Sequence, residues 1–139
     1  MIPRVGHVLE SMKLAYATLF VTDIERSLSF YEAAFGLRRS FVHDSGQYAE
    51  LETGTTALAF AAHDLARTIV RTPYRASARG EPPAGFELGL ETDDVPAAYA
   101  RALGAGAESV SPPEKMPWGQ TIAYLRDPDG VLVVLVSEG

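Results

Sequence analysis

The chain has 139 residues, 47% hydrophobic and 22% charged, which suits one compact globular domain. Its net charge of −6 opposes nonspecific binding to nucleic acid or to an anionic membrane surface. It contains no cysteine, so disulfides, thiolate nucleophiles and cysteine-ligated metals are excluded.

Residues 1–12 show neither strand nor helix periodicity and read as an N-terminal extension, dispensable for a domain at 13–139. MIPRVGHVLESMKL lacks the apolar core of a secretory signal, and no apolar run is long enough to span a bilayer. A cytoplasmic protein without nucleic-acid or membrane partners is expected. LAYATLFV, residues 14–21, reads as a strand. Thr22-Asp23 then offers an N-cap, IERSLSFYEAAF places Ile24, Leu28, Tyr31 and Phe35 at helical spacing, and Gly36 closes the helix. RRSFVHD, QYAELET and TALAFAAH are three short strands, and the glycine-containing separators DSG and TGT predict hairpins. After a connection at 63–85, FELGLET predicts a strand from Phe86, and DVPAAYARALGAG a helix with Pro96 in its first turn. AESV, QTIAYLRD and VLVVLVS complete the strands, the last two joined by the turn Asp127-Pro128-Asp129-Gly130.

The halves therefore share one order: strand, helix, three strands. An offset of 71 positions relates them, Tyr16 to Glu87, Asp23 to Asp94 and Ile24 to Val95. This predicts an α+β fold of two tandem βαβββ modules at 13–62 and 86–137. Strand parity assigns each sheet two faces. Ala15, Ala17, Leu19, Ala49, Leu51, Leu88, Leu90, Val133 and Leu135 form a small or aliphatic face that should pack under the helices. The opposite face carries Tyr16, Thr18, Phe20, Tyr48, Glu50, Glu52, Glu87, Glu91, Leu132, Val134 and Val136. So many aromatics with no lysine suit a concave, partly enclosed surface better than a solvated one.

VTDIERSLSFYEAAFGL in the first half and WGQTIAYLRDPDGVLVVLV at the end resemble the vicinal oxygen chelate superfamily of glyoxalase I, bleomycin-resistance proteins and extradiol dioxygenases. The resemblance covers residues 13–137. It implies paired βαβββ modules, their mixed sheets curling around a cavity, usually in homodimers whose sites form between modules. It also implies a divalent metal held at four strand positions, usually by two histidines and two glutamates. Those positions fall here on Tyr16, Glu50, Glu87 and Val134. Tyrosine is a poor ligand and valine has no donor, which leaves at most a weakly held divalent metal on Glu50 and Glu87. No cofactor is therefore expected.

The remaining candidates each carry two readings. Glu50 and Glu87 are a carboxylate pair that orients a ligand or exchanges protons, or two solvated side chains. Tyr16, Phe20, Tyr48, Trp118 and Tyr124 form an aromatic box for a planar or cationic ligand, or ordinary packing. Trp118 should lie at the cavity rim, and Val134 on its floor. His7, His43 and His63 fall on none of the four positions; each is an acid-base group or, by preference, part of the tail or a surface turn. Arg67, Arg71, Arg75 and Arg79 recur every four residues in the connection, as an anion-binding lid or, by preference, a solvated linker. Two function classes follow. The preferred one is a homodimeric binding module for a planar or aromatic small molecule. The alternative is an enzyme, lyase or dioxygenase, that uses an unusual metal set or Glu50 and Glu87 as acid and base.

Overall fold

The computed structural model describes residues 12–138. Strand β1 (Tyr16–Val21) leads into helix α1 (Ile24–Phe35), followed by β2 (Arg38–Val42), β3 (Tyr48–Glu52) and β4 (Ala57–Ala62). Helix α2 (His63–Val70) opens the connection. The second module is β5 (Leu88–Glu91), α3 (Val95–Gly104), β6 (Glu108–Lys115), β7 (Thr121–Arg126) and β8 (Leu132–Val136). Each module makes one mixed four-stranded sheet, in the orders β1-β4-β3-β2 and β5-β8-β7-β6. β1 runs parallel to β4, and β5 parallel to β8. Among the described residues no helix is long and apolar enough to cross a membrane.

The duplication is visible in the caps. Asp23 and Asp94 each accept the backbone N–H three residues on, from Arg26 at 3.0 Å and from Ala97 at 3.1 Å, which satisfies a donor the first helical turn leaves free. Gly36 closes α1 in the left-handed conformation, φ 71°, with its N–H on the Glu32 carbonyl. The helix-side faces share one core. Leu19, Leu28, Tyr31 and Phe60 of the first module cluster with Leu125, Val131 and Leu135 of the second. Burying such side chains contributes about 1.5–3 kcal/mol each before entropy is charged against it.

The turn between β7 and β8 is more than a turn. Asp127 is buried and accepts from the Tyr31 hydroxyl at 2.6 Å and from the N–H groups of Asp129 and Val131 at 2.8 and 2.9 Å. Asp129, also buried, accepts from Arg26 Nη2 at 2.9 Å and from the Thr22 N–H at 3.3 Å. The second module's turn thus caps and anchors the first module's helix.

Three boundaries differ from the sequence reading. The strand FELGLET is shortened to Leu88–Glu91, which leaves Glu87 just ahead of it and Phe86 half-exposed. AESV extends to Glu108–Lys115, through Pro112 and Pro113. Proline is tolerated because β6 is a sheet edge whose register shifts between Ser111 and Glu114. The connection carries α2, and the four arginines do not form one stripe because the helix ends at Val70. Arg79 is no solvated linker residue. Its Nε donates to the Asp127 carbonyl at 2.9 Å and its Nη2 to the Gly106 carbonyl at 2.6 Å. The extension 1–11, with His7, lies outside the described residues.

Candidate functional site

The face predicted to line a cavity is built differently in the two sheets. In the first, the central strand β4 contributes Ala57, Ala59 and Ala61. Register sets Thr18 and Glu50 on either side of Ala59, and Phe20 and Tyr48 on either side of Ala61. Ala59 and Ala61 are buried although they stand outside the main core, because their taller neighbours shade them. The result is a trough with a methyl floor. The Tyr48 hydroxyl donates to Glu50 Oε2 at 2.7 Å, and Phe41 lies beyond it with ring centroids 6.3 Å apart. Burial first, and then the Glu50 carboxylate, push the Tyr48 pKa well above its ordinary value, so Tyr48 stays protonated and acts as a donor.

At its Phe20 end the trough meets the connection. Tyr74 packs on Phe20 with centroids 4.9 Å apart, and its hydroxyl shares a 2.6 Å hydrogen bond with His63 Nδ1. His63 is therefore the half-buried first residue of α2, not part of a surface turn. Burial, then Arg67, depress its pKa. His43 does occupy a turn, where Nδ1 accepts the Ser45 N–H at 3.0 Å.

In the second sheet the central strand β8 presents Leu132, Val134 and Val136, and Val134 is buried. Tyr124 on β7 donates to Glu87 Oε1 at 2.8 Å. Because β8 lies between β5 and β7, this bond spans the aliphatic strip. The Glu87 carboxylate, ahead of burial, raises the Tyr124 pKa. The two modules thus differ in bulk: alanines in one, branched side chains under a polar bridge in the other.

Register also places the counterparts. Ala17 pairs with Leu58 as Leu88, 71 positions on, pairs with Val133, so Ala59 is the module-one equivalent of Val134. Glu50, paired with Ala59, stands one strand over and matches Tyr124, paired with Val134. Alanine and valine offer no donor atom. Among the described residues no three histidine, aspartate or glutamate side chains converge, so this donor set does not fit a four-ligand cage. Glu50 lies in the first sheet and Glu87 just ahead of the second, each accepting from its own tyrosine. Tyr16 is half-exposed on the edge strand β1. Trp118 is 67% exposed in the β6–β7 turn, its indole N–H on Gln120 Oε1 at 2.9 Å.

A cavity of about 700 Å³ lies on the other side of the sheets. Ala17, Leu58, Leu88, Leu90 and Leu135 line it, with Ala34 and Ala98 from the helices. Alanines read as packing residues leave this space where α1, α3 and the edges of β1 and β5 meet. Only the residues' small size could have signalled it.

The family model described as Glyoxalase/Bleomycin resistance protein/Dioxygenase superfamily matches residues 13–135. A protein of Bacillus subtilis (strain 168), YraH, described as uncharacterized, is 28% identical over 123 residues, 88% of this chain and 95% of its own. The crystal structure of a glyoxalase-related enzyme from Fulvimarina pelagi is similar with a TM-score of 0.80 at 22% identity, covering 91% of this chain and 88% of that one. A protein of unknown function from Agrobacterium tumefaciens str. C58 gives a TM-score of 0.73 at 30% identity, over 92% and 95% of the two chains.

Proposed function

This chain belongs to the glyoxalase/bleomycin resistance protein/dioxygenase superfamily, and from that premise we propose that it is a cytoplasmic small-molecule-binding member that holds a planar, partly aromatic ligand without a tightly bound metal. The observation that carries this is the alanine strip Ala57–Ala59–Ala61 between Thr18 and Phe20 on one side and Tyr48 and Glu50 on the other. A flat ring can approach methyl groups closely, which larger side chains would prevent, and its edge meets aromatic walls. Glu50 keeps acceptor capacity after accepting the Tyr48 hydrogen bond, so it suits a ligand donor or cation. The tyrosines facing the carboxylates are donors held protonated, which favours binding over acid-base chemistry.

One chain leaves this face open, and the reading includes a homodimer in which a second copy covers it. Tyr16, Glu87, Trp118, Tyr124 and Val134 are the further ligand contacts expected once the cavity closes. Support comes from the sheet edges: among the described residues β1 and β5 are each paired on one side only, and Leu14, Tyr16 and Phe86 near them are 72%, 53% and 49% exposed. Light scattering at micromolar concentration should give about twice the monomer mass; a monomer mass would reject the closed cavity.

The ligand site is tested by screening planar aromatic compounds through Trp118 fluorescence, with and without EDTA. A hit should bind equally well with chelator present. Ala59→Leu, which fills the trough, and Glu50→Gln should each weaken it about tenfold or more while the protein still melts cooperatively. Parent-like affinity in both variants, or binding abolished by EDTA, would sink the reading.

A further inference from the structure

We propose that the hollow bounded by Arg67, Arg71, Thr72, Pro73 and Tyr74 is a binding site for a small oxyanion, a carboxylate or a phosphate group. This site is separate from the trough and does not depend on what the trough binds.

The arginines of this acidic chain divide sharply. Arg26 pairs with Asp129, Arg38 with Glu52, and Arg39 with Glu25 and Glu32. Arg79, Arg101 and Arg126 donate to backbone carbonyls. Among the described residues, Arg67, Arg71 and Arg75 alone have neither an ion pair nor a hydrogen bond from the side chain, and two of these three line a hollow of about 400 Å³. Among the described residues no carboxylate lines it.

The surroundings are preformed. The Arg67 guanidinium carbon stands 5.5 Å from the Tyr74 ring centroid, a cation–π contact that orients the head group while leaving its N–H donors free. Tyr74 is itself braced by Phe20 and by the His63 hydrogen bond. Arg71 ends α2 at φ 59° and ψ 30°, the one non-glycine residue with positive φ among the described residues. That conformation costs an arginine energy that glycine would not pay, and it turns the chain at the helix end, where Arg71, Thr72 and Pro73 line the same hollow as Arg67. A helix C-terminus attracts cations, which accounts for basic residues near Val70. It accounts for neither the stacking on Tyr74 nor the hollow. Two guanidinium forks present planar N–H pairs of the kind that carboxylates and phosphates accept; the Thr72 hydroxyl donates to the Pro73 carbonyl at 3.4 Å.

Occupancy has a local reporter. His63 touches Tyr74 and has its pKa lowered by burial and by Arg67, with Asp129 and Asp64 acting the other way. An anion beside Arg67 offsets that cation, so the His63 imidazole should titrate at higher pH.

The experiment titrates full-length protein with inorganic phosphate and, separately, with acetate, by calorimetry and by NMR of the His63 ring. Saturable binding of either ion is expected, with an upward movement of the His63 titration. The tighter ion identifies the group recognised. Arg67→Gln with Arg71→Gln should weaken binding about tenfold or more, whereas Arg75→Gln, which removes one positive charge outside the hollow, should alter it less than about twofold. No saturable binding of either ion, or equal losses in Arg75→Gln and the double variant, would overturn the proposal.

Discussion

Asp127→Ala should cost about 3–4 kcal/mol and lower the midpoint of thermal unfolding by roughly 10 °C. The substitution deprives the Tyr31 hydroxyl and the N–H groups of Asp129 and Val131 of one shared acceptor, all in a region closed to water. Asp127→Asn keeps the shape and the acceptor for the two amides and should cost clearly less. The pH dependence separates charge from shape. Burial, ahead of the lowering by the Tyr31 hydrogen bond, raises the folded-state pKa of Asp127 above its unfolded value. Its contribution is therefore fully present below the unfolded carboxylate pKa and is lost as pH rises through the raised folded value. Relative to Asp127→Asn, the parent should gain stability as pH falls from neutrality toward about 4. Chemical denaturation of both proteins across that range reads the difference. Equal stability of Asp127→Ala and parent at pH 7 would show that the latch between turn and helix carries no energy.

Gly130→Ala should cost about 2–4 kcal/mol, from two causes that add. Gly130 has φ 89°, a conformation side chains resist, and a methyl there would meet the Ala78 carbonyl carbon and oxygen at 2.7 and 2.8 Å and Arg126 Nη2 at 2.9 Å. None of these can retreat easily. The Arg126 guanidinium is held by the carbonyls of Ala78, Arg79, Glu81 and Gly130 itself. Gly54 is the matched control: its φ is 92°, and nothing lies within 4 Å of a methyl placed there. Gly54→Ala should cost only the backbone term, about 1 kcal/mol. If the two variants melt together, the close approach of residues 78–81 to the β7–β8 turn is not a stabilising contact.

Much of the fold was legible because its signals are local. Asp23 and Asp94 cap helices wherever an extended residue precedes a helical turn, and Gly36 closes one because only glycine takes the left-handed conformation cheaply. Alternation along β1, β3 and β8 fixed which side chains share a face, since a strand's period of two admits no other arrangement. The 71-residue offset followed from residue identity alone, and the N-caps Asp23 and Asp94, 71 positions apart, agree with it.

What stayed hidden depends on residues that only the folded chain brings together, from 11 to 107 positions apart. DPDG read only as a turn, because nothing near it in sequence says that Tyr31, Arg26 and Thr22 will deliver their donors to its two carboxylates. Arg79 looked like linker for the same reason: its partners are backbone carbonyls, which every residue possesses and no sequence pattern marks. His63 became half-buried only when the connection folded Tyr74 back onto Phe20. Within the candidate site, the sequence by itself determined the composition of each face. The tertiary structure decided its shape. Strand order alone puts alanines between Phe20 and Tyr48, sets Glu50 one strand away from the equivalent of Val134, and carries the Tyr124–Glu87 bond across the aliphatic strip. Which strands become neighbours is settled by the packing of both modules' helices into one core, a sum of many weak long-range contacts that no short stretch of chain records.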